Sequence, residues 1–518
     1  MNYVRIVLFC LLAIGFFCLL LGLMSQLFIN KIIKYQLAKR LPLLNGTETL
    51  HKWSNVKLPV YMNYRLFHVK NAEEVLQGKK PIFEERGPYV FRERIQKEVI
   101  DWNEDETLIS YRTRKSYYFD AELSVGDLTE NVTIVNVPLI SLVTVIMEKA
   151  QSIGWFAAWG AKKALNSMIE EEPLVTKTVE ELLYGYTPKF YDKLSTVSPF
   201  LPFTLPDKFG FMYKKNNTAE GVWKIYTGKS DLNKIGSVVT WNNLTHLSCW
   251  NGTSCNKIEG TDGTMFHPFI SPEEKFYLFN ADVNRSLALA FERNSQVHSL
   301  NSYRYVLPKE FFTAPNVSGE NSCYCVNKPV ENEQNLCAID GVLDVSKCKR
   351  NLPIVISLPH FYEASKILLE SAQGLKPEKE KHEIFMEFDP ISGVILKAAR
   401  RLQLNVNLKK SFDIDALSQV KPMIYPVVWF EETVTMDAKT AADLKSKLHD
   451  KMSLLSNIFY GVTIFGAVLM LVSMIFLVKI FVGEKRRNQT ALEQKKYSYS
   501  NLKVNDENKG NEEQQKID

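Results

Sequence analysis

The chain has 518 residues, 46% of them hydrophobic and 23% charged, with a formal net charge of +5. That composition suits a globular protein with a large core. So small an excess of positive charge over this length does not imply nucleic acid, and none is expected as a partner.

Residues 1–3 precede a first apolar segment, 4–29, VRIVLFCLLAIGFFCLLLGLMSQLFI, with one charge near its start. At 1.5 Å per residue it reaches roughly 39 Å, enough to cross a bilayer. Its apolar run exceeds that of a signal peptide, and no small-x-small cleavage pattern follows before NKIIKYQ, so it reads as an uncleaved anchor. A second segment, 455–482, opening LSNIFYGVTIFGAVLMLVSMIFLV, has the same character. Two spans place both termini on one side of the membrane and residues 30–454 on the other. That middle region carries seven N-x-Ser/Thr sequons, at Asn45, Asn131, Asn216, Asn243, Asn251, Asn284 and Asn316. Together they put it in the secretory lumen or outside the cell, with cytosolic termini. The basic flank KIFVGEKRRNQ agrees with that orientation. Lys31, Lys34, Lys39 and Arg40 oppose it under the positive-inside rule, and the sequons outweigh them.

Within the ectodomain, LPVYMNYRLFHV reads as a strand. Lys149 to Pro173, KAQSIGWFAAWGAKKALNSMIEEEP, reads as one helix stopped by Pro173. Its expected buried stripe is Ile153, Ala157, Gly160, Ala161, Ala164, Leu165 and Met168. Trp155 and Trp159 fall on the far side beside Lys162 and Asn166, where a soluble helix is polar. PLVTKTVEELLYGY continues the helical pattern, giving a helical cluster at about 140–205. Six cysteines follow between 249 and 348: Cys249, Cys255, Cys323, Cys325, Cys337 and Cys348. In an oxidising compartment they form a disulfide framework whose connectivity the spacing leaves open. The C-x-C at SCYCVNK has no second metal-ligating pair, so no metal site is expected. RRLQLNVNLKK alternates Leu402, Leu404, Val406 and Leu408 against Arg401, Gln403, Asn405, Asn407 and Lys409, the mark of a half-buried strand. YPVVWFEETVTM is a further strand, DPISGVI a turn, and TAADLKSKLHDKM a helix leading into the second span. The class is α+β, largely antiparallel.

The tail, 483–518, is polar and expected to lack structure. Within it YSNL, Tyr499 to Leu502, fits the extended tyrosine-x-x-apolar signal read by clathrin adaptors.

Catalytic signatures are missing from the sequence: it has no G-x-S-x-G, H-E-x-x-H, Walker lysine loop or G-x-G-x-x-G, and neither catalysis nor a cofactor is expected. GTDGT at Gly260 to Thr264 is a poor approximation of the phosphate loops of two-anchor ectonucleotidases and reads as a turn. A two-span ligand-gated channel needs polar residues lining its second span, where this chain offers Thr463 and Ser473 among aliphatic residues.

FEERGPYVFRERIQKEV, TVEELLYGY, NNTAEGVWKIYTGK, EGTDGTMFHPFISPEEKFYLF, YRYVLP, GVLDVSKC, ISLPHFYEAS and GVILKAARRLQLNV resemble, in order and over nearly the whole span between the anchors, the class B scavenger receptor family. HPFISPEEKFYLF and KAARRLQLNVNLKK look most similar to its lysosomal integral membrane protein branch. The resemblance implies a receptor with an irregular antiparallel β-barrel core, an internal hydrophobic tunnel and an apical helical bundle. Implied ligands are fatty acids, sterols, phospholipids, lipoproteins or lumenal glycoproteins, taken up at the plasma membrane or in endosomes and lysosomes. The alternative within the family is a lysosomal sorting receptor for a lumenal enzyme. Trp155 and Trp159, with Ile153 or Phe156 at the edge and Lys162 and Lys163 alongside, lie where the apex should be and are the candidate ligand anchors. The resemblance also implies pairing of Cys255 with Cys323 and of Cys325 with Cys337, and lipid-modified cysteines near the termini, for which the tail offers none and Cys10, about two turns inside the cytosolic edge, is the candidate acylation site. Asn284 stands where Cys348 would find its usual partner, and the extra Cys249 is expected to take that place. The family's apical lysines meet Glu170, Glu171 and Glu172 here, which argues against polyanion capture. No histidine lies between His68 and His246 to act as the branch's apical pH switch.

Overall fold

The computed structural model describes residues 2–196, 206–315, 319–326, 335–409 and 414–514. Residues 197–205, the end of the expected helical cluster, and Asn316 lie outside them. Two compact units are present, residues 1–36 with 443–518, and residues 37–442.

In the first unit the apolar N-terminal run is helical from Asn2 to Leu23, and a second helix, Ser25–Arg40, begins after Met24. Tyr3–Leu23 and an apolar window within Ala438–Asn501 are long and apolar enough to cross a membrane. The two helices run antiparallel and touch through glycines. A Cβ on Gly15 would lie 2.8 Å from the Gly466 carbonyl oxygen, one on Gly466 2.7 Å from that of Gly15, and one on Gly22 would strike Thr463. Close backbone approach at small residues is how helices associate where water supplies no hydrophobic drive. Arg5 and Glu484 form an ion pair on the same helix pair. The tail departs from expectation: one helix runs unbroken from Asp450 to Gln514 and includes Tyr499 and Leu502. Lys, Glu, Gln, Ala and Leu between 484 and 503 are good helix formers, and the preceding span supplies the nucleus that a polar segment lacks alone.

The second unit is built on one large antiparallel sheet. It begins with β1 (Val60–Val69), β2 (Phe83–Trp102) and β3 (Leu108–Phe119). After the short pair β4 (Asn131–Val135) and β5 (Leu174–Thr178) come β6 (Thr218–Tyr226), β7 (Val238–Trp241), β8 (Phe276–Asn280), β9 (Arg285–Val297) and β10 (Leu300–Val306). β11 (Val342–Asp344), β12 (Ile354–Ser357), β13 (Phe385–Phe388), β14 (Ile395–Leu408) and β15 (Met423–Thr435) complete it. The spatial order is β7-β6-β3-β2-β1-β15-β14-β13-β10-β9-β8, with β11 and β12 branching from β14. The edges β7 and β8 are brought together by Thr261, which bridges Ser237 on one side and Leu278 on the other, so the barrel is nearly closed. A closed sheet exposes no strand edge for pairing with other chains.

The GTDGT segment is a turn with a structural task at this seam. Buried Asp262 accepts from Lys97 Nζ at 2.7 Å and from the Tyr111 hydroxyl at 2.5 Å. Lys97 Nζ also stands 4.1 Å from the Trp53 ring centroid. Such a pair is tolerated in the interior because each charge is bonded.

β14 corrects the half-buried reading. Leu402, Val406 and Leu408 are buried, but so are Arg401, Gln403, Asn405 and Asn407 on the opposite face. β14 sits in mid-sheet between β13, β12 and β15, with the segment Leu358–Glu383 covering its second face. There Arg401 Nε donates to Glu431 at 2.7 Å, and Asn405 Nδ2 donates to the Ser357 hydroxyl at 3.0 Å.

Candidate ligand-binding surface

The stretch expected to be one helix is two. The first, Val137–Ile153, is capped by Asn136, whose side chain accepts from Leu139 N at 3.2 Å, and it buries Leu139, Ile140, Val143 and Met147. Gly154, at φ 145°, ends it and starts the second, Trp155–Met168. A left-handed φ of this kind is open to glycine and strained for other residues. The second helix stops at Met168, before Pro173, and Leu174–Thr178 is strand β5, paired along β4, where helix was expected. β-branched Val175, Thr176 and Thr178 favour that pairing. Helix resumes only at Val179–Tyr184, under a Thr178/Glu181 capping box.

The break overturns part of the expected buried stripe. Ile153 belongs to the end of the first helix and is exposed, as is Gly160; Leu165 is the one buried residue of Trp155–Met168, with Ala161 and Met168 packed partly on the core. Trp155 is 80% exposed, Phe156 67% and Trp159 50%. They form a contiguous aromatic group. Trp155 and Phe156 meet edge to face with centroids 5.7 Å apart, and Phe156 stacks on Trp159 at 5.9 Å. Lys163 Nζ lies 4.5 Å from the Trp159 centroid, and Lys162 is half-buried. Contiguous apolar exposure of this kind marks an interaction surface, and stacked rings are preorganised, so little order is lost on binding.

The acidic run is spent elsewhere. Glu171 accepts from Asn136 Nδ2 at 3.0 Å and from Phe190 N at 3.1 Å, and Glu170 pairs with Lys193 at 2.5 Å. These bonds tie the helices to the segment after β5 and leave Lys163 beside the rings.

The disulfides are Cys249–Cys348, Cys255–Cys323 and Cys325–Cys337. Cys10 and Cys18 are free, Cys10 exposed on its helix. Asn45, Asn131, Asn216, Asn243 and Asn251 are exposed. Asn284 is not: it is 9% exposed, its Oδ1 is enclosed, and its carbonyl accepts from the Trp250 indole at 2.6 Å. That enclosure argues against a glycan at Asn284. Tyr499, exposed, and Leu502 lie inside a helix, whereas the adaptor signal requires an extended strand.

Sequence reading missed a buried polar group under β14 and β15. His360 Nδ1 accepts from Lys376 N at 3.2 Å, leaving Nε2–H to bond Glu85 at 2.6 Å, and Glu85 also accepts from the Trp429 indole at 2.8 Å. His382 stacks on His360 at 4.8 Å. The histidines stand far apart in sequence, and no local signal joins them.

A search against protein-family models matches the CD36 family over residues 13–477. Lysosome membrane protein 2 of Rattus norvegicus is 35% identical over 441 residues, covering 84% of this chain and 87% of that protein. The Homo sapiens protein of that name is 34% identical with the same coverage. Scavenger receptor class B member 1 of Rattus norvegicus is 28% identical over 494 residues, 94% of each chain.

Proposed function

The chain belongs to the CD36 family, and from that premise we propose a membrane receptor of the class B scavenger type that takes lipid-bearing ligands at the Trp155–Phe156–Trp159 surface and passes lipid through the barrel. The observation that carries this reading is the exposed aromatic group that follows the Gly154 break. Rings held by one another and anchored to the core only through the opposite helix face suit the surface of a lipoprotein or an apolar patch on a protein. The remaining assignments follow from the two-span reading: glycans on Asn45, Asn131, Asn216, Asn243, Asn251 and Asn316, cytosolic termini, and acylation at Cys10. Adaptor sorting through Tyr499 and Leu502 needs the last helical turns to open. Higher identity to the lysosome membrane proteins than to the scavenger receptors favours residence in endosomes and lysosomes over the plasma membrane, and keeps a lumenal glycoprotein enzyme as the second reading of the ligand.

The test is uptake of labelled lipoprotein by cells expressing the chain, wild type beside Trp155→Ala with Trp159→Ala. Reduced uptake with unchanged surface abundance and disulfide map supports the reading. Unchanged uptake refutes the role of the rings, and no uptake by the wild type turns attention to a lumenal protein ligand.

A further inference from the structure

The outer wall of the barrel carries a band of arginines. β2 and β3 pair antiparallel, with Arg92 opposite Tyr118, Arg94 opposite Ser116, Gln96 opposite Arg114 and Glu98 opposite Arg112. Successive side chains of a strand point to opposite faces. Phe91, Glu93 and Lys97 are buried on the inner face, so Arg92, Arg94, Arg112 and Arg114 share the outer one. Residues two apart on a strand stand about 6.7 Å from each other, and a diagonal cross-strand pair such as Arg94 and Arg114 about 7–8 Å. The four arginines therefore form one band, running from Arg92 through Arg94 and Arg114 to Arg112 over about 20 Å of strand.

Little on the protein answers that charge. Glu98 is the one carboxylate on the band, and Arg114 Nε holds it at 2.6 Å while Arg114 Nη1 donates to the Asn217 carbonyl at 2.7 Å. Arg92, Arg94 and Arg112 are exposed and close no ion pair among the described residues. Like charges set side by side on a sheet repel one another and cost the fold stability. A ligand that brings the missing negative charge recovers that cost. Its chemistry follows from the face. The planar donor fork of guanidinium matches sulfate and carboxylate, where ammonium offers a point charge. Gln96, Glu98 and Ser116 complete the band, so it holds no apolar side chain to enter a bilayer. Tyr61 and Tyr118, opposite Arg92 on either side, offer rings at one end against which a sugar can lie. On the two-span reading this wall faces the lumen or the cell exterior, where linear polyanions are acidic polysaccharides.

We propose that the outer face of β2 and β3 binds a linear acidic polysaccharide, whose sulfate and carboxylate groups lie along Arg92, Arg94, Arg114 and Arg112. The surface is separate from the aromatic group on Trp155–Met168, beside which the acidic run argues against polyanions, and it does not depend on lipid transfer.

Full-length protein in phosphatidylcholine nanodiscs is titrated with a heparin oligosaccharide and with uncharged dextran of the same length. Wild type binds heparin, less tightly as salt rises, and not dextran. Arg94→Ser with Arg112→Ser lowers heparin affinity at least about tenfold, and Arg94→Lys with Arg112→Lys, which keeps the charge and loses the fork, lowers it about threefold. Both positions are exposed, so these variants fold, as an unchanged urea midpoint verifies. Lys70→Ser with Lys275→Ser removes the same charge from exposed positions off this face and leaves the affinity unchanged. No heparin binding by wild type, equal affinity for dextran, equal losses in the two serine pairs, or full affinity in Arg94→Ser with Arg112→Ser each overturns the proposal. So does capture of phosphatidylserine vesicles through the same arginines without heparin binding, which assigns the face to a membrane.

Discussion

Acidification from pH 7 to pH 5 should destabilise the ectodomain through His382, and the size of the effect follows from its surroundings. The ring is 2% exposed. Its Nδ1 accepts from Glu378 N at 2.9 Å, one face stacks on His360 at 4.8 Å, and the Trp429 ring meets it edge-on at 5.6 Å. Burial first, then His360, hold its pKa down at about 4, with Arg401 acting the same way and Glu85 and Glu378 opposing. The unfolded chain, with histidine near 6.5, therefore binds more protons than the folded one between those values. Stability from this group is present above pH 6.5 and is lost as pH falls towards 4. Between pH 7 and pH 5 the loss is about 2 kcal/mol. Glu93 works in the opposite sense, because its folded pKa is raised and its contribution grows as pH falls. The wild-type profile alone therefore does not isolate His382. His382→Gln, which keeps an acceptor for Glu378 N, does. Urea unfolding followed by tryptophan fluorescence at pH 7 and pH 5 should show wild type losing about 2 kcal/mol more than the variant over that range. Parallel pH dependences would refute the reasoning and mean that the buried ring takes up its proton without cost.

Gly154→Val should destabilise by about 1–3 kcal/mol, because φ 145° is strained for a branched residue. Gly160→Ala in the next helix, with open space around the added Cβ, should be neutral or gain about 0.5–1 kcal/mol, both read from urea midpoints. Cys249→Ser removes a cross-link closing a sequence separation of 99 residues and should cost about 3–5 kcal/mol under non-reducing conditions. An unchanged midpoint would remove Cys249–Cys348 from the stabilising framework. Asn216→Gln should speed migration of the secreted-pathway protein on a denaturing gel by one glycan, and Asn284→Gln should leave migration unchanged, since Asn284 is enclosed and Asn216 exposed.

Local signals carried much of this protein. The two apolar runs, the antiparallel strands around Val60–Val69 and Met423–Thr435, and the family resemblance are all properties of contiguous residues. So is the placing of Trp155 and Trp159 opposite the packed face, because a 3.6-residue period fixes which side chains share a side. What the sequence could not decide depends on what covers a face. The alternation in RRLQLNVNLKK implied water on one side until Leu358–Glu383 closed over it and made Arg401, Gln403 and Asn405 interior. Asn284 reads as a sequon by three residues, and only its tertiary position encloses the side chain. The charges on Glu93, Lys115, Arg400 and Glu432 are spread over some 340 positions of chain and look like ordinary surface residues. Barrel closure alone turns them towards one another, because the curvature of the sheet, which no local window contains, sets which strand faces look inward.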